Sequence, residues 1–305
     1  MNAETEKLLG TLEILASNSF VWETINQGDL NLWSLMIAQR FVTLTDIELA
    51  FEHWQNIEEW GTPTNQKEYG EYAPTRSERK NNNWNQNIAA ECREYYQKIQ
   101  HILTNNCQNL QAYSLSIPKS NHQNFEWGHP DFSVSILVAE TRDNNWLCLA
   151  PTVPDQVSYN RRKTNPPTTQ IVCEASATLA DDSLITEVQS CLDHLTPITI
   201  YGYYHGGYNY TYKHHLVGAY AKTKISAIEL ALQAAAMVMI EKPTVEYASD
   251  AYNSRKLSQF MNQCLSDRTL YTISFWDIGY TYEVGQTPTG DWIGVRSTSE
   301  FEYNP

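Results

Sequence analysis

Histidines are the side chains of this sequence that could serve the widest range of chemistry, because imidazole acts as a general base or a metal ligand near neutral pH. Of the eight histidines, two are adjacent, His214 and His215. In a strand their side chains would point to opposite faces, so they would not share one metal ion. His53, His101 and His194 fall in helical patterns and have no second histidine four residues later. The sequence therefore predicts no metal site.

Nucleophile and cofactor motifs give no catalytic site either. The chain has no G-x-S-x-G, phosphate-binding loop, H-E-x-x-H or G-x-G-x-x-G pattern. His205-Gly206-Gly207 is similar to an oxyanion loop, but no nucleophile elbow accompanies it. The acidic pair Asp181-Asp182 falls in a predicted linker, and Glu58-Glu59 point apart on a predicted helix. We therefore predict a protein that is not an enzyme and needs no cofactor.

Tyrosines between residues 201 and 212 form an alternative candidate site. They recur at nearly every second position along a predicted hairpin, which suits both a packed sheet face and a binding face. The alternative function is a small-ligand or enzymatic site in the cleft between the two halves of the chain. Its candidate ligand-binding residues are Tyr203, His205, Tyr208 and Tyr210.

Three pairs of sequence segments match in the same order along the two halves of the chain, which is typical of a tandem duplication. The pairs are 35–50 with 216–231, 112–116 with 270–274, and 138–152 with 284–298. In the last pair, Thr141 aligns with Thr287. We predict a first copy over residues 1–155, a linker over 156–182 and a second copy over 183–305.

The spacing of apolar residues predicts the element order α-ββ-αα-βββ in each copy. Thr45 with Glu48, and Ser226 with Glu229, have the spacing of capping boxes and mark two helix starts. The predicted fold class is α+β, with two tandemly duplicated α/β sandwich domains. Each is expected to have a mostly antiparallel sheet and its own core.

Some element boundaries follow from local signals. A turn at Asn26–Asp29 predicts a hairpin whose second strand continues to about Val42. Residues 226–242 have an apolar pattern that predicts one helix ending before Pro243. The polar segments 61–87 and 118–131 are predicted to be loops inserted in the first copy.

Composition restricts the class of partner and the compartment. The net charge of −14 argues against nucleic-acid binding, which requires clustered Lys and Arg. The six cysteines form no C-x-x-C pair, as expected for free thiols in a reducing compartment. The longest apolar run, 225–240, contains polar residues and is too short to span a membrane. These features predict a cytoplasmic protein without membrane contact.

The C-terminal strands resemble a motif of the nuclease A inhibitor family. In that family a strand, a turn and the last strand follow the pattern G-E-T-P-x-G-x-x-x-G, which residues 284–294 fit closely and 138–148 fit loosely. Tyr113 and Tyr271 begin the preceding strand, and Ser19–Glu23 is similar to the family's first strand. The resemblance implies small acidic α/β domains, with a mixed sheet between helices, that bind and inhibit a nuclease.

The resemblance also implies which parts would contact a partner. In the family, an acidic side chain before the first strand and the end of the chain enter the metal site of the nuclease. Residues 16–18 and 196–197, which precede the first strands here, lack a carboxylate. We therefore predict binding of a protein partner, such as a basic protein or a nuclease, through other acidic and aromatic side chains. The predicted contact residues are Glu58, Glu59, Trp60, Glu302 and Tyr303.

Overall fold

The computed structural model describes residues 1–60, 86–118, 133–152, 171–177, 182–195, 198–202, 210–243, 255–275 and 278–300. Helices and strands alternate irregularly along these residues. The helices are α1 (Ala3–Leu15), α2 (Thr24–Gln27), α3 (Leu32–Ala38), α4 (Ile47–Trp60), α5 (Gln86–Asn106), α6 (Asp182–His194), α7 (Lys224–Ala234) and α8 (Arg255–Cys264).

The described strands form two large sheets and one small one. In chain order they are β1 (Ser19–Trp22), β2 (Val42–Thr45), β3 (Cys107–Ser116), β4 (Ser133–Thr141), β5 (Trp146–Pro151), β6 (Ile171–Cys173), β7 (Ile198–Gly202), β8 (Tyr210–His214), β9 (Leu216–Ala221), β10 (Val238–Glu241), β11 (Ser266–Phe275), β12 (Ile278–Gln286) and β13 (Trp292–Glu300). Sheet A has the order β1-β13-β12-β11-β10, sheet B has β2-β3-β4-β5-β9-β6, and β7 pairs with β8. Apart from β6 with β9, every described pair is antiparallel. An α+β sandwich with mostly antiparallel sheets is thus confirmed.

The two halves of the chain exchange strands. β1, from the first half, pairs with β13 at the end of the second half. β9, from the second half, pairs with β5 of the first half. The largest core cluster accordingly contains residues of both halves. The predicted copies therefore do not form separate sheets with separate cores, although their boundaries at 155 and 183 stay a prediction.

Helices α3 and α7 lie between the two sheets. Trp33 of α3 contacts Tyr113 of sheet B, whereas Gln39, just after α3, accepts a hydrogen bond from Tyr282 of sheet A. The outer face of sheet A packs against α1 and α8. The outer face of sheet B packs against α4 and α5, where the indole N–H of Trp54 donates to the carbonyl of Ser135 at 2.6 Å.

An internal repeat is visible where each middle helix leads into an edge strand. Arg40 and Ala236 both have left-handed backbone conformations, with φ of 63° and 61°. The next residue bonds back to the helix in each case, Phe41 N to Met36 O at 2.9 Å and Met237 N to Leu232 O at 3.0 Å. The segment 32–45 therefore corresponds in structure to 228–241, and the predicted match of 35–50 with 216–231 is out of register.

The C-terminal hairpins repeat as the sequence predicts. Thr141 N donates to Asn145 O at 2.8 Å, and Thr287 N donates to Asp291 O at 2.7 Å. Both threonine hydroxyls donate to the same carbonyl oxygens at 3.0 Å. The alignment of Thr141 with Thr287 is thus confirmed as a structural equivalence.

Two predicted elements differ from the structure. The residues before Val42 form helix α3 rather than a strand, because Asn31 and Ser34 make a capping box at its start. The predicted helix 226–242 ends at Ala234 and continues as strand β10, since Ala236 turns the chain and the β-branched Val238 and Ile240 pair with β11.

The capping prediction at Glu229 is also wrong. The N-cap of α7 is Thr223, whose side chain accepts from Ser226 N. Glu229 instead accepts from the main-chain N–H of Leu32 at 2.9 Å, so it caps the neighbouring helix α3. Burial raises the pKa of Glu229, while hydrogen bonds from Leu32 and Trp33 act in the opposite direction. One carboxylate therefore joins the two middle helices.

Sheet A contains a buried ion pair at positions that leucines occupy in the described strands of sheet B. Arg268 donates to the carboxylate of Glu283 and to the side-chain oxygen of Asn262 on α8, and both charged residues are buried. The strand registers place Leu110 and Leu137 at the corresponding positions of sheet B. Buried ion pairs often contribute less than well-packed apolar pairs, because desolvation of two charges costs several kcal/mol.

Replacing the ion pair by its apolar counterpart tests this comparison. Glu283→Leu alone should lower the free energy of unfolding by about 3–5 kcal/mol, since it leaves Arg268 buried without its carboxylate. The double variant with Arg268→Leu should recover most of that loss, or exceed wild type. Urea unfolding measures both values. A double variant as unstable as the single one would show that the ion pair itself holds α8 on the sheet.

Candidate functional site

Glu58, a predicted contact residue, is buried in the structure. It is 3 % exposed and accepts a hydrogen bond from the hydroxyl of Tyr96, which joins α4 to α5. Trp54 and Ile57 of α4 are buried with it. The prediction that Glu58 contacts a partner is wrong, because the apolar stripe of α4 turns this side chain inward.

The surroundings of Glu58 favour its protonated, neutral form. Tyr96 stacks on Phe51 at 5.7 Å and makes an edge contact with Trp54 at 5.5 Å. Burial raises the pKa of Glu58 to about 8, and hydrogen bonds from Tyr96 and Cys92 act in the opposite direction. The carboxyl therefore carries its proton at neutral pH and serves helix packing as a neutral group.

The remaining predicted site residues lie partly or wholly outside the described residues. Glu59 and Trp60 belong to the last turn of α4, and Tyr210 begins β8, but their side chains are not among those described. The others fall outside altogether: Tyr203, His205, Tyr208, Glu302 and Tyr303. Their roles stay predictions.

The adjacent histidines belong to a buried structural contact. His214 Nδ1 lies 2.9 Å from the carbonyl oxygen of Thr152, and His215 N donates to the Thr152 hydroxyl at 2.8 Å. Burial lowers the pKa of His214 to about 4, so its ring is neutral at pH 7. Within the described ranges, no three His, Cys, Asp or Glu side chains come together as a metal site.

An exposed apolar surface lies beside strand β2. Leu44 is 71 % exposed and Ile37 is 51 % exposed. Leu44 stands opposite Tyr113 of β3, and Tyr113 makes an edge contact with Trp33 at 5.0 Å. Trp33 and Ile37 are one turn apart on α3. Trp33 is buried, at 7 % exposure, and Tyr113 is half-buried. We refer to Trp33, Ile37, Leu44 and Tyr113 together as the β2 surface.

The β2 surface includes an open strand edge. Among the described strands, β2 pairs only with β3. Ser116 N donates to Phe41 O at 2.9 Å, so the alternation of an antiparallel ladder points the main-chain groups of Val42 and Leu44 away from β3. Such an edge is a template for pairing with another extended chain.

Lys224 fixes the inner side of the β2 surface. Its Nζ lies 2.6 Å from the Tyr113 hydroxyl and 2.5 Å from Gln111 Oε1. The same ammonium lies 4.9 Å from the centroid of the Tyr113 ring and 5.7 Å from that of Trp146. These contacts hold the tyrosine in one orientation next to the exposed Leu44.

The equivalent position in the other half is more closed. Ile240 of β10 stands opposite Tyr271 just as Leu44 stands opposite Tyr113. Tyr271 is buried, and Ile240 packs against the main core. The capping residue Glu229 takes the position of Trp33. The repeated arrangement of helix and edge strand thus leaves large apolar side chains exposed at β2 but not at β10.

Sequence reasoning misses the β2 surface because it places the residues before Val42 in a strand. The available signal is the sequence Val-Thr-Leu-Thr at 42–45, in which apolar and polar residues alternate. This pattern indicates a half-covered strand. It does not indicate that the strand lies at a sheet edge, which depends on distant pairings.

No protein-family model, curated protein or solved structure matches this chain. None of the helices within the described ranges is long and apolar enough to cross a membrane. Arguments about function therefore depend on the geometry of the molecule itself.

The buried carboxyl predicts a pH dependence of stability. The pKa of Glu58 is higher in the folded state, about 8, than in the unfolded state, so folding is favoured most below the unfolded pKa and less as pH rises through 8. Glu58→Gln keeps a neutral polar group at every pH. The free energy of unfolding of wild type, relative to this variant, should fall by several kcal/mol between pH 4.5 and 8.5.

Glu52→Gln is the matched control for this measurement, because Glu52 is exposed on the same helix. Chemical unfolding at a series of pH values gives the three stability curves. Parallel curves for wild type and Glu58→Gln would mean that the carboxyl is ionised in the folded protein, contrary to its burial.

Proposed function

We propose that this chain is a non-enzymatic protein that binds a protein partner at the β2 surface. The observation that carries the proposal is the exposure of Leu44 and Ile37 beside an open strand edge. Exposed apolar side chains grouped next to fixed aromatic rings are typical of protein-binding surfaces.

The open edge suggests how the partner binds. An extended segment of the partner would pair with the outward main-chain groups of Val42 and Leu44, as in strand addition to other sheets. An apolar side chain of that segment would pack on Leu44 and Ile37. Main-chain hydrogen bonds would contribute affinity, and the apolar contact would select the segment.

Charge favours a basic partner. The chain has a net charge of −14, and Asp46, Glu48 and Glu52 are exposed in the segment that follows β2. Acidic side chains beside an apolar contact would speed association with a basic protein, and salt would weaken this effect. The resemblance to nuclease A inhibitors makes a nuclease the first partner to assay. No comparison tests that resemblance.

A reducing, cytoplasmic location belongs to the same proposal. The six cysteines are thiols that form no disulfide in the described residues, as is usual where thiols stay reduced. The alternative of a ligand site lined by the 201–212 tyrosines stays a prediction, since Tyr203, His205 and Tyr208 lie outside the described residues.

Leu44→Lys tests the proposed surface. Because Leu44 is 71 % exposed, the substitution should change the free energy of unfolding by less than about 0.5 kcal/mol. It removes the apolar contact and adds a charge that repels a basic partner. Capture of the partner from host extract should therefore fall sharply relative to wild type, and captured protein should decline as salt is raised.

Ile14→Lys is the control, because Ile14 is also a large apolar residue and is 86 % exposed, but it lies on α1, outside the β2 surface. It should capture the same partner as wild type. Equal capture by all three proteins would place the binding site elsewhere. Loss of capture by both variants would point to nonspecific apolar adhesion.

A further inference from the structure

The outer edge of β1 is a second strand edge that no described strand covers, and the proposed function does not use it. β1 lies at one edge of sheet A. Its counterpart in sheet B is β9, since each pairs with the last strand of the other half. Phe20 stands opposite Gly294 and Ala219 stands opposite Cys148. Because the two hairpins correspond, Phe20 and Ala219 occupy equivalent positions.

In sheet B this edge is covered by the short strand β6, which runs parallel to β9. Ile171 stands opposite Gly218 and Cys173 opposite Tyr220. Directly after β6, Glu174 N donates to the carbonyl oxygen of Tyr220 at 2.8 Å. Within the described residues, the three residues of β6 and the amide that follows them cover this edge.

The same main-chain groups are available on β1. Arg296 N donates to Asn18 O at 2.9 Å, so antiparallel alternation points the groups of Ser19 and Val21 away from β13. These positions correspond to Gly218 and Tyr220. In the part of the chain that the structure describes, no strand pairs with this side of β1.

The side chains beside this edge indicate the chemistry of an occupant. Val21 is 36 % exposed and Ile25 is 96 % exposed, which favours apolar residues. The hydroxyl of Ser19 lies 3.5 Å from the carboxylate of Glu13 at one end. Glu23 follows β1 at the other end, with its carboxylate 3.4 Å from the amino group of Met1. Two acidic groups thus flank the open edge.

The comparison with sheet B also shows that the occupant needs no acidic residue equivalent to Glu174. There, the carboxylate of Glu174 accepts from Lys222 N at 2.9 Å. The equivalent amide of sheet A, Glu23 N, already donates to Gln27 Oε1 at 2.8 Å. An acidic residue at the end of the occupant would therefore not find the main-chain donor that Glu174 uses, and it would meet the carboxylate of Glu23. A basic residue fits the end at Glu13, and at the other end a basic residue would share the carboxylate of Glu23 with the amino group of Met1.

We propose that the outer edge of β1 binds a short apolar segment of a partner protein as a parallel strand, with basic residues at both ends of that segment. The arrangement of β6 on β9 is its template within the same molecule. This surface is separate from the β2 surface, so the two can be tested independently.

A fused peptide tests the proposal at high effective concentration. The amino group of Met1 lies near Glu23, where a parallel segment on β1 would end. A pentapeptide of lysine, isoleucine, valine, serine and lysine, joined to Met1 by about six Gly and Ser residues, would span this distance. Amide hydrogen exchange at Ser19 and Val21, followed by NMR, should slow about tenfold or more relative to the unfused chain.

Two controls make the result specific. A fused peptide with proline in place of its valine should give no protection. Val21→Pro removes the outward N–H but keeps the ladder to β13, since proline is tolerated at strand edges. It should abolish the protection of Ser19 by the original peptide while leaving the thermal midpoint of the fusion within a few degrees.

Equal exchange rates with the original and proline-containing peptides would overturn the proposal. Protection of Ser19 and Val21 in the unfused chain that grows with protein concentration would also overturn it, because the edge would then belong to a second copy of the chain. Loss of partner capture in Leu44→Lys bears on the β2 surface alone and leaves this inference unaffected.

Discussion

The exchange of strands between the two halves is the constraint on which the rest of the structure depends. β1 completes sheet A through β13, and β9 completes sheet B through β5. Helices α3 and α7 are then enclosed between the sheets, and Glu229 of one caps the other. Each half contributes to the core of the other, so the apolar area that stabilises one sheet depends on the presence of both.

The two halves of the chain share one arrangement of helices and strands but differ in the side chains that occupy it, and the proposed binding surfaces rest on these differences. Sheet A keeps an ion pair, Arg268 with Glu283, where sheet B has leucines. β9 is covered by β6, whereas no described strand covers the outer edge of β1. Ile240 of β10 packs against the core, whereas Leu44 of β2 is exposed. Differences within an otherwise repeated arrangement separate the residues that pack in the core from those that stay exposed.

Local patterns in the sequence predict much of the fold but not its long-range pairings. The apolar stripe of α4 and the hairpin after Thr287 follow from spacing alone. The stripe also held the evidence against Glu58 as a surface residue, because Glu58 lies four residues after the buried Trp54. The strand exchange and the exposure of Leu44 depend on which strands become neighbours, and no short-range periodicity encodes that.

Amide hydrogen exchange in Ile293→Val most directly tests the claim that strand exchange makes the two sheets unfold together. Ile293 is buried in sheet A, away from sheet B, and the substitution should cost about 0.5–1.5 kcal/mol. If the halves complete each other, the exchange free energies of the slowest amides in β12 and in β4 will fall by the same amount. A fall confined to β12, with β4 unchanged, would show that the two sheets unfold independently and would contradict the account.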